Sequence, residues 1–367
     1  MIIAVNSTHF ISLGGSNFFY NYLREFASCQ PEHQFIFITA TPPAKQQVFS
    51  KNISWVVSAP KAENALMWKL WLNYTLPAIA RKHKASLLIH TGGVCSLRTR
   101  LQQSLFIGDL SFLSFPQYFS KSQVRFLKNN MPAFLNKAQL VVTASDFIAK
   151  ELTGRYALEN DKIRAAGLQA GKLYTPADWK TKEDVKDKFA DGKEYFLFSG
   201  EIHHKHNLTN LLKAFSFFKK RQKSNMQLLI AVKNIAAGEL FIESLKSYKY
   251  RDEVKLLTGL PKEEEANIMA AAYVFVYPSQ YEGMGLPVMQ AMQCGVPVIT
   301  SSTGALPGIT GNLALYVNPD SFEDIADKMM QVFKDETRRN ELIELGGQQI
   351  EKLNQIKPYE WWAFFKG

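Results

Sequence analysis

Short apolar runs, rich in β-branched and aromatic side chains, recur along the chain with longer stretches of helical periodicity between them. In the first half they fall at residues 2–5, 35–38, 55–57, 87–89, 105–107 and 140–142, and in the second at 195–198, 227–232, 254–257, 274–277, 296–300 and 315–317. Strands that are apolar at consecutive positions are covered on both faces, and their alternation with helices is the rhythm of βαβ units around a parallel sheet. The pattern therefore predicts an α/β protein of two Rossmann-like domains. Residues 173–182 lack periodicity and contain Pro176, which places the linker there, with a first domain over 1–172 and a second over 173–345. A ligand crevice is expected between the two domains, at the carboxyl ends of the strands.

Two apolar segments can be read in more than one way. The stretch from Met67 to Leu72 has apolar residues around Lys69 and suits a core helix or an interfacial one, with the core as the simpler expectation. The last ten residues include Tyr359, Trp361, Trp362, Phe364 and Phe365, and must be buried or lie against something apolar.

A chain of 367 residues exceeds the usual single-core size, and a hydrophobic content of 46% supplies two cores. No run is long enough to span a membrane, and residues 1–6 read as a buried strand instead of a signal peptide, so a cytosolic protein is expected. Cys29, Cys95 and Cys294 are odd in number and far apart, which argues against a disulfide framework or a cysteine zinc site and for small buried hydrophobes. The formal charge of +10 favours polyanionic neighbours such as nucleoside diphosphates, anionic headgroups or nucleic acid. The sequence has no zinc-finger spacing, RNA-binding aromatic signature or long basic tract, which argues against nucleic acid.

The densest chemistry follows the run ending at Tyr277. Gly283 and Gly285 form a turn, and Pro287 sits where a helix begins, its missing N–H and fixed φ suited to a first turn. Backbone N–H groups over 283–286 then converge at the positive end of a helix dipole, a ready site for a diphosphate. Glu282 stands just before that point. Gln290 lies two turns further on near the same face, where a carboxylate or amide can hold vicinal hydroxyls.

The whole segment resembles the C-terminal motif of the retaining family-four glycosyltransferases, the glycosyl transferases group 1 enzymes of GT-B fold, whose two glutamates are separated by seven residues. Glu282 matches the first glutamate, and Gln290 stands in place of the second. The resemblance implies that Glu282 orients the donor sugar, Gln290 the ribose, and the turn of Gly283, Met284, Gly285 and Leu286 the phosphates. Residues 198–208 look like a second family segment when aligned on Gly200 and Asn207. Glu201 then takes the usual arginine position and His206 the usual lysine position, while Lys205 persists as a cation for the leaving diphosphate.

In the first half, Gly14 and Gly15 precede a helix marked by Phe19, Tyr22, Leu23 and Phe26, and look like the family's glycine loop beside the donor phosphates. Asp109 keeps the aspartate of a histidine–aspartate pair whose histidine is Gly108 here, implying a catalytic or acceptor-pocket role that competes with an ordinary turn or cap. Ser145 reads as a helix cap. His203, His204 and His206 sit on one turn without a carboxylate or cysteine partner, so no metal is expected. The resemblance implies no cofactor beyond the nucleotide-sugar co-substrate, and implies that residues 346–367 pack back on the first domain.

Two functions follow. One is a retaining transferase moving a hexose from a nucleoside-diphosphate sugar to a glycan or lipid-linked acceptor in envelope polysaccharide assembly, with peripheral contact to an anionic inner-membrane face and no nucleic-acid partner. The other is a catalytically weakened relative kept as a binding or assembly partner. Gly108, Glu201, His206, Gln290 and Gly308, where the motif has other functional groups, motivate the second.

Overall fold

The computed structural model describes residues 1–8, 16–42, 50–60, 64–233 and 239–365. The chain divides into two compact units, Met1–Gly167 with Pro358–Gly367, and Leu168–Lys357. The division falls at 167 and 357 where the sequence placed it at 172 and 345. Residues 179–182 are not linker, because Asp178 accepts from the Thr181 N–H at 2.7 Å and caps the helix Trp179–Ala190. Residues 346–354 stay with the second unit as the end of the helix Glu336–Asn354, where Gly346 lies against Met292.

The first unit holds seven parallel strands: β1 (Ile2–Asn6), β2 (Gln34–Thr39), β3 (Ile53–Val57), β4 (Leu87–His90), β5 (Gln102–Ile107), β6 (Leu140–Thr143) and β7 (Ile163–Ala165). Their order is β3-β2-β1-β4-β5-β6-β7. The sequence pattern missed β7 because this three-residue edge strand buries only Ile163 and carries no apolar run. Over the sheet lies the helix Ser16–Ser28, which buries Phe19, Tyr22, Leu23 and Phe26. The aromatic tail completes that layer. Trp361, 1% exposed, packs on Phe26 and Phe106 with ring centroids 5.0 and 5.1 Å away. Its Nε1 donates to Tyr22 Oη at 2.9 Å, and Tyr22 donates in turn to the Ala166 carbonyl.

Trp68, Trp71 and Leu72 are buried, as a core helix requires, but Leu66 and Leu70 on the same helix are exposed. Cys95 and Cys294 are buried, whereas Cys29 is exposed, at the end of the first helix, and is not the buried hydrophobe expected. Ser145 accepts from the Ile148 N–H at 3.3 Å and caps the helix Asp146–Tyr156.

At the carboxyl ends of β1 and β4 lies a closed polar network. His90 Nε2 donates to Gln103 Oε1 at 2.9 Å, an oxygen that also accepts from Ser96 N, and Asn6 Nδ2 approaches His90 Nδ1 at 3.4 Å. Burial pushes the His90 imidazole down to about 4, against a smaller upward pull from the Gln103 hydrogen bond. The unfolded imidazole titrates near 6.5, so as pH falls the unfolded chain takes up the proton first. Stability is therefore full above pH 6.5 and should fall between 6.5 and about 4, by about 3 kcal/mol in all. Urea denaturation of wild type and His90→Gln at pH 7 and pH 4.5 checks this, and an equally steep acid loss in the variant would assign it to another group.

The second unit holds six parallel strands: β8 (Tyr195–Gly200), β9 (Gln227–Val232), β10 (Val254–Thr258), β11 (Val274–Tyr277), β12 (Val298–Ser301) and β13 (Leu315–Val317), in the order β10-β9-β8-β11-β12-β13. All six residues of β9 are buried, as a strand covered on both faces demands. The helix Leu208–Gln222 covers one face with Leu208, Leu211, Leu212, Phe215 and Phe218, the spacing of one helical stripe. Strand order reverses between β8 and β11. In an open α/β sheet the loops leaving the carboxyl ends at such a reversal form the natural ligand crevice.

Candidate functional site

The two loops that leave β8 and β11 carry most of the residues singled out from the sequence. β8 ends at Gly200, whose missing Cβ would otherwise meet the Phe198 ring at 3.3 Å. The chain then turns through 201–207 into a helix start. β11 ends at Tyr277, whose ring stacks on Phe198 with centroids 5.5 Å apart. The segment 278–285 follows it into the helix Leu286–Gln293, with Gly285 at φ +72° before Pro287. The loops are stitched together. Gln280 N donates to the Lys205 carbonyl at 2.7 Å, and Ser279 Oγ lies 2.9 Å from the same oxygen.

Glu282 is the centre of this arrangement. It is 7% exposed, and a carboxylate so buried must be met by donors. Tyr277 Oη donates to Oε2 at 2.8 Å, while Met284 N and Gly285 N donate to Oε1 at 3.2 and 3.3 Å. Two of the amides assigned to phosphate thus face the carboxylate of Glu282 itself. His206 Nε2 lies 3.8 Å from Oε2.

The Glu201 carbonyl can only accept, so the 2.8 Å contact to His206 Nδ1 puts the imidazole proton on that nitrogen. Burial holds the His206 imidazole below its ordinary value, helped by the positive charge of Lys205, with Glu282 pulling the other way. The ring is therefore uncharged near neutral pH. As it stands the aligned lysine position therefore holds a neutral ring, and an anion placed beside it would pull the imidazole back toward its charged form. Lys205 is buried, and the Glu201 residue itself is exposed.

Other expected residues have structural duties. Asn207, in the left-handed conformation at φ 61°, gives both amide hydrogens to backbone, to Pro278 O at 3.2 Å and Pro319 O at 2.5 Å. This ties the ends of β11 and β13 to the helix Leu208–Gln222. Gln290 donates to the Ala170 carbonyl at 3.4 Å, and Gln293 on the next turn donates to Gly171 and Tyr174 carbonyls at 2.9 and 2.7 Å. The helix Leu286–Gln293 thereby holds the segment that opens the second unit. In the first unit, Asp109 is 1% exposed and accepts from Ser111 N at 2.6 Å, as an aspartate in a turn does. Gly14 and Gly15 lie outside the described residues. His203 Nδ1 accepts from Lys205 N at 3.2 Å, and among the described residues no three His, Cys, Asp or Glu side chains come together as a metal-binding set.

Two contributors were missed from the sequence. Tyr277 was read only as a strand end, yet it is the hydroxyl that holds Glu282. Gly304, at φ +63°, lets the 301–305 loop run against the Glu282 backbone: a Cβ there would lie 2.2 Å from the Glu282 carbonyl oxygen and 2.8 Å from its nitrogen. Ala305 N donates to that same carbonyl at 2.7 Å. The Ser-Ser-Thr-Gly run after β12 signals a turn, though not what the turn touches.

Residues 180–349 match the family model described as glycosyl transferases group 1. The chain is 27% identical over 254 residues to the O-antigen chain mannosyltransferase B of Escherichia coli, covering 69% of this chain and 65% of that one. It is 24% identical over 240 residues to the serotype-specific mannosyltransferase WbdA of the same organism, covering 64% of this chain and 29% of WbdA. The matches thus span less than two thirds of these relatives' lengths. Among solved structures, WaaG, a glycosyltransferase of lipopolysaccharide biosynthesis, superposes with a TM-score of 0.76 at 14% identity, over 97% of this chain and 99% of WaaG. HepE of Anabaena in complex with UDP-glucose gives 0.73 at 14% identity, over 97% of each chain. No helix among the described residues is long and apolar enough to cross a membrane.

Proposed function

We propose, from the match of residues 180–349 to the glycosyl transferases group 1 model and from the GT-B fold of the chain, that it is a retaining transferase of a hexose from a nucleoside-diphosphate sugar to a glycan or lipid-linked acceptor. In this reading it serves cell-envelope polysaccharide assembly, peripheral to the inner membrane face. The mannosyltransferases among its relatives, one of them of the O-antigen chain, favour mannose as the hexose.

The observation that carries the reading is Glu282, held at the reversal of the second sheet by Tyr277 and by the N–H groups of 284 and 285. The carboxylate acts as a placeholder. When a donor enters, Glu282 turns to the sugar hydroxyls and the two amides pass to the diphosphate, so the turn is never left with buried, unpaired donors. Lys205 supplies charge to the leaving group.

Glu201 and an uncharged His206 at the two cation positions favour the weakened relative as a second reading. Calorimetric titration with UDP-, GDP- and ADP-sugars, with donor turnover measured on the same preparations, separates the two: binding with turnover supports the transferase, and binding without it the weakened relative. Glu201→Arg with His206→Lys should raise nucleoside-diphosphate affinity by roughly tenfold or more, since hydrogen bonds to charged groups contribute about 1.5–3 kcal/mol each. If the native site is a working one, the same change should lower its transfer. Unchanged affinity would mean that neither side chain reaches the diphosphate.

A further inference from the structure

The two ring nitrogens of His206 have different surroundings. Nδ1 carries the proton and donates it to the Glu201 carbonyl at 2.8 Å. Nε2 is then a bare acceptor, and it faces another acceptor, Glu282 Oε2, at 3.8 Å. Two buried acceptors side by side gain a hydrogen bond only when a proton arrives between them. The ring is already seated to use one, with Nδ1 anchored to backbone and Nε2 aimed at an anion.

The groups around the ring decide whether it does. On its own turn are Glu201, Lys205 and His203, the last with its ring centroid 6.1 Å away. From the end of β11 come Glu282 and Tyr277, whose ring centroid lies at 5.6 Å. Burial and the charge of Lys205 prevail over the upward pull of Glu282 and Glu201, so one carboxylate does not charge the ring. That carboxylate also occupies, through Oε1, the N–H groups of Met284 and Gly285. It is the anion now seated where the proposed function puts the donor diphosphate. A diphosphate in its place brings a negative charge on each phosphate to a buried site, where each added charge acts strongly on the ring. A lysine at this position would leave a second cation beside Lys205 in the empty site. A histidine avoids that repulsion and supplies the charge when the anion is present.

We propose that His206 is a donor-binding residue whose charge arrives with the ligand: as the diphosphate of a nucleotide-sugar settles on the 283–286 turn, Nε2 takes up one proton from solvent and donates it in a hydrogen bond to a phosphate oxygen. The proton returns to solvent when the diphosphate leaves. Because the bound ring holds its proton to higher pH than the free one, donor affinity is greatest at low pH. It is lost as pH rises through the bound value, by up to about tenfold per unit between the two. The inference rests on the donor-site reading above, and under it the neutral ring of the empty site no longer speaks for a weakened relative.

Calorimetric titration of the full chain with UDP-glucose, GDP-mannose and ADP-glucose, whose diphosphates hold no group that titrates near neutral pH, tests this in buffers of different ionisation enthalpy. At pH 7.5 the measured heat should vary with the buffer and give uptake of about one proton per donor bound. His206→Gln should abolish the uptake, flatten the dependence of affinity on pH, and weaken binding at pH 6.5 about tenfold or more. His206→Lys should also take up no proton, yet keep the low-pH affinity across the whole range, a split that a merely structural residue would not produce. If circular dichroism shows that either variant does not fold, imidazole nitrogen NMR of the wild type decides: one ring should pass from the neutral to the charged pattern as donor is added. Donor binding without proton uptake, uptake retained in His206→Gln, or no ring changing state would overturn this inference and leave the transferase reading standing. No binding of any of the three donors across the pH range would overturn both.

Discussion

Gly304→Ala should cost about 4 kcal/mol or more in stability of the second unit, or else push the Glu282 loop out of place, although a single methyl group is all that is added. Two independent penalties act at this position. The backbone at 304 has φ +63°, a left-handed conformation that alanine adopts at a cost. The new Cβ would also lie 2.2 Å from the Glu282 carbonyl oxygen, and that neighbour is backbone, so no side chain can swing away to relieve the clash. Relief requires the 301–305 loop to retreat, which breaks the 2.7 Å bond from Ala305 N to Glu282. Thermal or urea denaturation, combined with donor turnover on whatever fraction folds, measures both outcomes. An alanine variant with wild-type stability and turnover would mean that the loop is not packed as described.

Glu282→Gln should lower kcat/KM roughly 100- to 1000-fold, the usual consequence of removing one preorganised charged contact in a transition state. Nucleoside-diphosphate affinity should stay within a few-fold, or rise, because the variant weakens the hold on Met284 N and Gly285 N and so eases their release to phosphate. The opposite movement of the two quantities is the informative result. A parallel fall in both would make Glu282 a support of the turn. Unaltered transfer would remove it from the site.

The sequence pattern carried the fold because the inner strands, such as β4, β6, β9, β11 and β12, are continuous buried runs, and runs of that kind arise where helices cover both faces of a sheet. β7 escaped because its partners lie on one side only and two of its three residues face outward. Glu282 was legible because the glycines, the proline and the carboxylate of its turn are consecutive. What holds it was not. Tyr277 and Gly304 act on Glu282 across the end of the sheet, and the Gly304 contact exists only once β11 and β12 are paired. Asn207, Gln290 and Asp109 show the same limit: their residue types fit ligand binding and backbone bracing equally well, and the carbonyl or N–H that each meets was not readable from the sequence.

The path of the chain has a consequence for how the protein is made. Domains emerging from the ribosome ordinarily fold in order, the first before the second. Here the layer over the first unit's sheet is incomplete until Trp361 arrives, and Trp361 is synthesised only after every residue of the second unit. The nascent N-terminal half must therefore wait, with Phe26 and Phe106 lacking their partner Trp361, while its younger neighbour assembles. The order of birth and the order of completion are reversed, and a stalled or prematurely ended chain would expose an unfinished core in the half that was made first.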